Sequence, residues 1–195
     1  MKRFLHAAAL LIVVVLAGSA RADSGASDFI QRLTSKAVPE LTDQSISVQE
    51  RRNRFRHIMD DGFDMKAITR YVVGRYWRQA SPPQQQELLS LARDYVVQLY
   101  ADRFKDYSGV KVNISGERKE EGWTIVQTVI DQPAGKPQVR LDWRVEASGG
   151  KPAVTDMIIE GVSMVTTQRS EFASVIRQNG VDGLINLLKQ RTGKA

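Results

Sequence analysis

Apolar residues recur at helical spacing over the first half of the chain, then alternate, and return to helical spacing near its end. Phe29, Ile30, Leu33 and Ala37 form one helical face, which Pro39 is expected to end. Ser47, with Glu50 three residues on, reads as a capping box opening a second helix. That helix turns Phe55, Ile58 and Met59 inward and stops near Asp61-Gly62. Asp64 caps a third, whose apolar positions Met65, Ile68, Tyr71, Val72 and Tyr76 keep to one side before Trp77. Ser81, followed by Pro82 and Pro83 in the first turn, opens the longest helix of the chain, running to about Tyr107.

The period changes after Ser108-Gly109. Val110, Val112 and Ile114 alternate with polar residues, and Trp123 to Ile130 is β-branched enough for a strand with both faces partly covered. The clearest strand is Val139 to Val145. There Val139, Leu141, Trp143 and Val145 point one way and Arg140, Asp142, Arg144 and Glu146 the other, the pattern of an antiparallel sheet with one wet face. Ser148-Gly149-Gly150 turns the chain into a fourth strand, about Ala153 to Ile159; Glu121-Gly122 and Gln132-Pro133-Ala134-Gly135 are the neighbouring turns. Beyond Gly161, Val165, Phe172, Val175 and Ile176 line a helix ending at Asn179-Gly180, and Leu184, Ile185, Leu187 and Leu188 line another. Helices, four strands, then helices indicate an α+β fold, a four-stranded antiparallel meander sheet covered by N- and C-terminal helices.

Lys2 and Arg3 precede the apolar run Ala7 to Ala17, and Ala20-Arg21-Ala22 supplies the small-x-small pattern of an export signal. The run is shorter than the roughly 20 residues that span a bilayer. Residues 1–22 are therefore read as a signal peptide cleaved after Ala22, and residues 23–195 as a single domain of a periplasmic protein. The formal charge of +6 shrinks accordingly: the remaining chain carries 25 basic and 22 acidic residues. So small a surplus does not favour nucleic acid, which needs a concentrated basic stripe. Arg51, Arg52, Arg54 and Arg56 are dense, but with Asp60 and Asp61 close behind they read as a solvated helix face.

The 195 residues contain no cysteine and two histidines, His6 and His57. Disulfides, thiolate nucleophiles and cysteine metal sites are thereby excluded, and a histidine-based apparatus would rest on His57 alone. Carboxylates occur together at Asp60-Asp61, at Glu120-Glu121 and at Asp142 with Asp156. Their places at a helix end, a hairpin turn and a wet strand face favour structural roles over acid–base catalysis. Gly149-Gly150-Lys151 is a turn, since Pro152 stands where a phosphate loop needs Ser or Thr. The reading is a non-enzyme with no cofactor and no metal.

The unusual feature is aromatic. Tyr71, Tyr76, Tyr95, Tyr100 and Tyr107, with Trp77 and Phe104, fall in two successive helices expected to face the Trp123/Trp143 sheet. An ordinary core or a ligand space between the layers would both account for such a stripe.

Two stretches carry a family resemblance. Phe63-Asp64-Met65 with Ile68-Thr69-Arg70-Tyr71-Val72-Val73-Gly74-Arg75-Tyr76-Trp77-Arg78-Gln79-Ala80-Ser81-Pro82 resembles the central signature of the MlaC/Ttg2 (toluene-tolerance) periplasmic phospholipid-binding proteins. Ile159-Glu160-Gly161-Val162-Ser163-Met164-Val165, Gln168-Arg169-Ser170-Glu171-Phe172 and Asp182-Gly183-Leu184-Ile185 resemble its second signature. Gln168 and Glu171 replace a tyrosine and a glutamine of the usual pattern. The resemblance implies a nuclear-transport-factor-like cone with an apolar interlayer pocket for phospholipid acyl chains. It also implies partners: an inner-membrane Mla-type ABC transporter complex and an outer-membrane lipoprotein–porin complex, between which the carrier shuttles lipid.

On that reading the tail-contacting candidates are Ile68, Val72, Tyr76, Tyr100, Leu141, Trp143, Val145, Val162 and Met164. Arg169 either bonds backbone or tyrosine groups at the pocket mouth or contacts a phosphate, with the structural role favoured. A carrier for hopanoid or another polycyclic lipid, and a non-catalytic periplasmic adaptor without a cavity, are the alternatives.

Overall fold

Each helix start after the first is set by a short polar side chain, as local chemistry requires. In the computed structural model, which describes residues 25–133 and 135–194, four caps accept a hydrogen bond from the backbone N–H three residues on. Ser47 does so for α2 (Val48–Gly62), Asp64 for α3 (Met65–Val73), Ser81 for α4 (Pro82–Tyr100) and Ser163 for α5 (Met164–Thr192). The reciprocal half of the box forms at Ser81, whose N–H donates to Gln84 Oε1 at 2.8 Å. At Ser47 it does not: Glu50 instead accepts from Arg54 Nε at 2.8 Å. An ion pair one turn along the same face has taken the carboxylate.

The preceding helix, α1, runs Gly25–Thr42 with Pro39 inside it. Proline removes one N–H and crowds the carbonyl four residues back. Here only three residues follow it, and burial of Leu41 together with Thr42 Oγ1 donating to Val38 O at 2.8 Å holds that last turn. α3 also ends earlier than its apolar pattern suggests. Gly74 takes φ 62°, so Tyr76 and Trp77 lie on a separate 3-10 helix, Gly74–Arg78, and not on the face of α3. Likewise α4 is α-helical to Tyr100 and continues as a 3-10 helix over Ala101–Tyr107. α5 is broken at Gly180 (φ 70°, ψ −177°), a conformation suited to glycine alone.

The sheet is an antiparallel meander of β1 (Lys111–Glu120), β2 (Trp123–Asp131), β3 (Val139–Ser148), β4 (Lys151–Ile159) and β5 (Val162–Ser163), in sequential order. Five strands replace the expected four because the two residues after Gly161 fold back on the end of β4. β1 reaches six residues further than the Val110–Ile114 alternation indicated, after a register shift between Ile114 and Gly116.

Two apolar cores form, where one interlayer core was expected. α1, α2, the C-terminal part of α4 and the inner face of the sheet enclose Ile30, Phe55, Met59, Val97, Val126 and Trp143 among others. A second, wholly helical core gathers Val72, Leu88, Leu91, Phe172, Ile176 and Leu188 from α3, α4 and α5. The α2–α3 junction is pinned to the sheet at β3 and β4. There the Asp64 N–H donates to Val154 O at 3.0 Å, and Ser148 Oγ donates to the Asp64 carboxylate at 2.6 Å.

The arginine-rich start of α2 is less solvated than its composition implies. Arg51 is 3% exposed and donates through Nε to Leu41 O at 2.9 Å and through its guanidinium to Asp43 O. Arg52 meets Asp102 at 2.8 Å and Arg56 meets Asp94 at 3.2 Å.

Burial opposes ionisation of Asp94, but Lys194 and Arg56 outweigh it and hold its carboxyl below the usual carboxylate range. At Asp64 burial is likewise outweighed, by the Ser148 hydroxyl and the backbone N–H groups of Ala67 and Lys66. Both groups bind their proton less readily folded than unfolded, so their contribution is fully present above the unfolded pKa of about 3.9 and is lost as pH falls through the lower folded values. Thermal unfolding followed by circular dichroism should therefore give a flat melting temperature from neutrality to about pH 5 and a decline below about pH 4. Asp94→Asn should make that decline shallower.

Candidate functional site

β3 supplies the wall of the interlayer space as its alternation requires. Leu141 (5% exposed), Trp143 (7%) and Val145 (4%) all point into the sheet-side core, opposite the helices. Cross-strand register then selects their neighbours: Val126 lies beside Trp143, and Thr128 beside Leu141. Residues facing an open chamber would keep accessible surface, so these side chains meet other side chains. The layers are in contact.

One polar group is built into this apolar wall. Thr128 Oγ1 donates to the Leu141 carbonyl at 2.6 Å and accepts from Trp143 Nε1 at 3.0 Å, so the buried indole N–H is satisfied within the layer. Replacing Thr128 by Val keeps the shape and strands the indole donor, at a cost of about 1–3 kcal/mol. Thr128→Ser should lose much less. Urea unfolding followed by tryptophan fluorescence distinguishes the two.

The other candidates are dispersed. Val72 is buried in the helical core, with Ile68 and Tyr76 packed against it, and none of the three belongs to the sheet-side core. Tyr100 is exposed and carries the Arg103 guanidinium 5.7 Å from its ring centroid. Val162 is 53% exposed on β5, and Met164, the first residue of α5, is half-buried. The structure thus brings Leu141, Trp143 and Val145 together, brings Ile68, Val72 and Tyr76 together elsewhere, and leaves Tyr100 and Val162 at the surface.

The aromatic stripe divides in the same way. Phe104 packs on the sheet-side core, its ring 5.0 Å from that of Phe55. Tyr76, Trp77 and Tyr95 instead pack against α5, with the Tyr95 ring 6.2 Å from Phe172. Tyr76 and Trp77 follow the positive-φ cap at Gly74 and still join the same core as Ile68 and Val72, so it is the docking of α5 on α3 and α4 that divides the stripe. Trp123 lies half-exposed at the start of β2 beneath the Arg144 guanidinium, 3.8 Å from its ring centroid.

Arg169 lies with its guanidinium 4.8 Å from the Tyr71 ring centroid. It also lies near Gly74, where a Cβ would stand 3.4 Å from its Nε, an ordinary van der Waals contact. Val126, Met157 and Thr128 belong to the interlayer wall but were not singled out from the sequence. The Trp123–Ile130 run showed no alternation from which to choose its inner face, and only pairing with β3 identifies it.

Four of the six carboxylates singled out have structural partners. Asp60 pairs with Arg93 at 3.1 Å, Asp61 with Lys36 at 2.9 Å and Glu120 with Arg118 at 2.7 Å. Asp156 accepts from Ser163 Oγ at 2.6 Å and from the Val165 N–H at 3.2 Å, so it anchors the N-terminus of α5. No helix among the described residues is long and apolar enough to cross a membrane. The export segment, Lys2 to Ala22, lies outside the described residues.

Comparison with known proteins agrees with this architecture. The profile of the MlaC protein family matches residues 29–190. The intermembrane phospholipid transport system binding protein MlaC of Haemophilus influenzae is 21% identical over 189 residues, covering 93% of this chain and 88% of that protein. A phospholipid-binding protein from Ralstonia solanacearum, solved in complex with a phospholipid, superposes with a TM-score of 0.78 at 24% identity, over 87% of this chain and 97% of the other. At that identity the superposition speaks for the fold.

Proposed function

Because the chain belongs to the MlaC family, we propose that it binds phospholipid by the acyl chains and carries it through the periplasm as the soluble component of an Mla-type transport system. Its partners on this reading are an inner-membrane ABC transporter complex and an outer-membrane lipoprotein–porin complex. Residues 1–22 would direct export and be removed, leaving residues 23–195 as the carrier. No reaction is assigned to it. The observation that carries the reading is an apolar β3 face, Leu141, Trp143 and Val145, roofed by helices in a chain that matches the family almost end to end.

The physical problem is to take hydrocarbon through water. Exposing a tail of roughly 16 carbons at about 0.8 kcal/mol per CH₂ costs on the order of 12 kcal/mol, so the tails must be almost wholly enclosed. Since the layers touch, entry of a tail requires the helices to part from the sheet. The apolar side chains uncovered by that parting are then covered by the tail itself, and one apolar contact replaces another. Transfer between bilayer and carrier exchanges similar environments, which leaves direction to the partner complexes.

The test is native mass spectrometry of the purified protein followed by solvent extraction. Near-stoichiometric glycerophospholipid is the expected result, and its mass gives the number of chains held. A folded, monodisperse protein that yields no lipid and takes none from vesicles overturns the carrier reading, and a bound hopanoid replaces the cargo.

A further inference from the structure

Four arginines line one cleft whose wall contains no carboxylate. The depression has a volume of about 430 Å³ between α3, the 3-10 helix after it and α5, and it is lined by Arg70, Arg75, Arg78 and Arg169 with Tyr71 and Trp77. All four arginines are exposed, and among the described residues none of them is ion-paired. The contrast with α2 is direct, since Arg52, Arg54 and Arg56 each have an acidic partner. Gathering like charges without counter-charges is unfavourable in the empty cleft.

Aromatic rings hold three of these cations instead. Arg70 lies 5.9 Å from the Trp77 ring centroid, Arg75 5.5 Å from that of Tyr76 and Arg169 4.8 Å from that of Tyr71. Stacking occupies the face of a guanidinium and leaves its N–H groups free at the edge. Gly74 contributes by absence of a side chain. Its positive φ, which a side chain would strain, turns the chain at the cleft.

We propose that this cleft binds a phosphate ester. A lone carboxylate has two oxygens and is satisfied by one arginine in a bidentate pair. A phosphate offers more acceptor oxygens and, as a monoester, more charge, and so can engage several guanidinium edges at once. The ligand is therefore a phosphate-bearing group, either a lipid headgroup or a free phosphate ester. The cleft borders the helical core and not the sheet-side core. Phosphate recognition there stands whether or not the interlayer space takes acyl chains.

The experiment titrates the purified full-length mature protein with glycerol 3-phosphate by calorimetry at low salt, beside the Arg75→Gln/Arg78→Gln double variant. Both replaced residues are exposed and make no hydrogen bond in the structure, so the fold should persist; Arg70→Gln serves as the second variant, with circular dichroism melts for each. The expected result is binding to the unsubstituted protein, weakened about tenfold or more in the double variant and weakened by added salt. Sedimentation with phosphatidylglycerol vesicles separates the sources. Loss of vesicle binding in the same variants identifies a headgroup, and unchanged vesicle binding identifies the free ester. Absence of glycerol 3-phosphate binding together with variant-independent vesicle binding overturns the site, as does a glutamate-rich peptide binding the cleft more tightly than the phosphate ester. Lipid extracted from the same preparations keeps the two readings apart: an empty protein that still binds the phosphate ester removes only the carrier function.

Discussion

Leu141→Asp should leave no cooperative unfolding transition. The leucine side chain is packed in the sheet-side core, and removing its contacts alone costs about 2–5 kcal/mol. An unpaired carboxylate in that wall adds several kcal/mol more, against a total stability of roughly 5–15 kcal/mol for a domain. Val162→Asp is the matched control. The same charge on the exposed β5 residue should change stability by about 0.5 kcal/mol or less, since water already reaches it. Its lipid content should nevertheless fall if the β5 surface guides acyl chains into the interlayer space. Thermal melts with lipid quantification on both variants make the comparison. A folded Leu141→Asp protein would falsify the packed assignment of β3.

Arg51→Ala should be the most damaging of the arginine replacements in α2. Its guanidinium satisfies two carbonyls, Leu41 O and Asp43 O, at the end of α1 and in the connection that follows. The truncation removes two charge-assisted bonds and leaves buried acceptors without their donor, a cost of about 3 kcal/mol. For a domain of this size that is a drop of roughly 6–12 °C in melting temperature. Arg54→Ala, whose partner Glu50 sits one turn away on the same exposed face, should cost about 0.5 kcal/mol. Calorimetric melts of the two variants at neutral pH provide the test. Equal effects would mean that the α1–α2 connection is held by something other than Arg51.

Arg51 also marks where sequence reading stops. Nothing in the run Arg51, Arg52, Arg54, Arg56 distinguishes the buried member from the others, because burial depends on the path of the chain ten residues earlier. Asp156 is similar: simple alternation would put it on one side with Val154, the register shift opposite Arg144/Val145 moves it to the other, and only the return of the chain through β5 places α5 on it. Thr128 carried no signal at all. Its role comes from register with β3, two strands whose pairing is not written in either one.

What the sequence by itself determined is local. Caps at Ser47, Asp64 and Ser81 act within three residues, and the alternation of β3 follows from the pleat, so those helix starts, the meander and the inward face of Leu141, Trp143 and Val145 were legible. The family signatures likewise lie within continuous stretches. Only the tertiary structure decided that Val72 and Tyr76 belong to a helical core apart from the sheet-side core, and that Arg70, Arg75, Arg78 and Arg169 line one cleft. Both outcomes depend on the docking of α5 about a hundred residues further on, and the cleft also on the turn at Gly74. Periodicity shows which side of a helix is apolar, but packing between distant segments decides what that side meets.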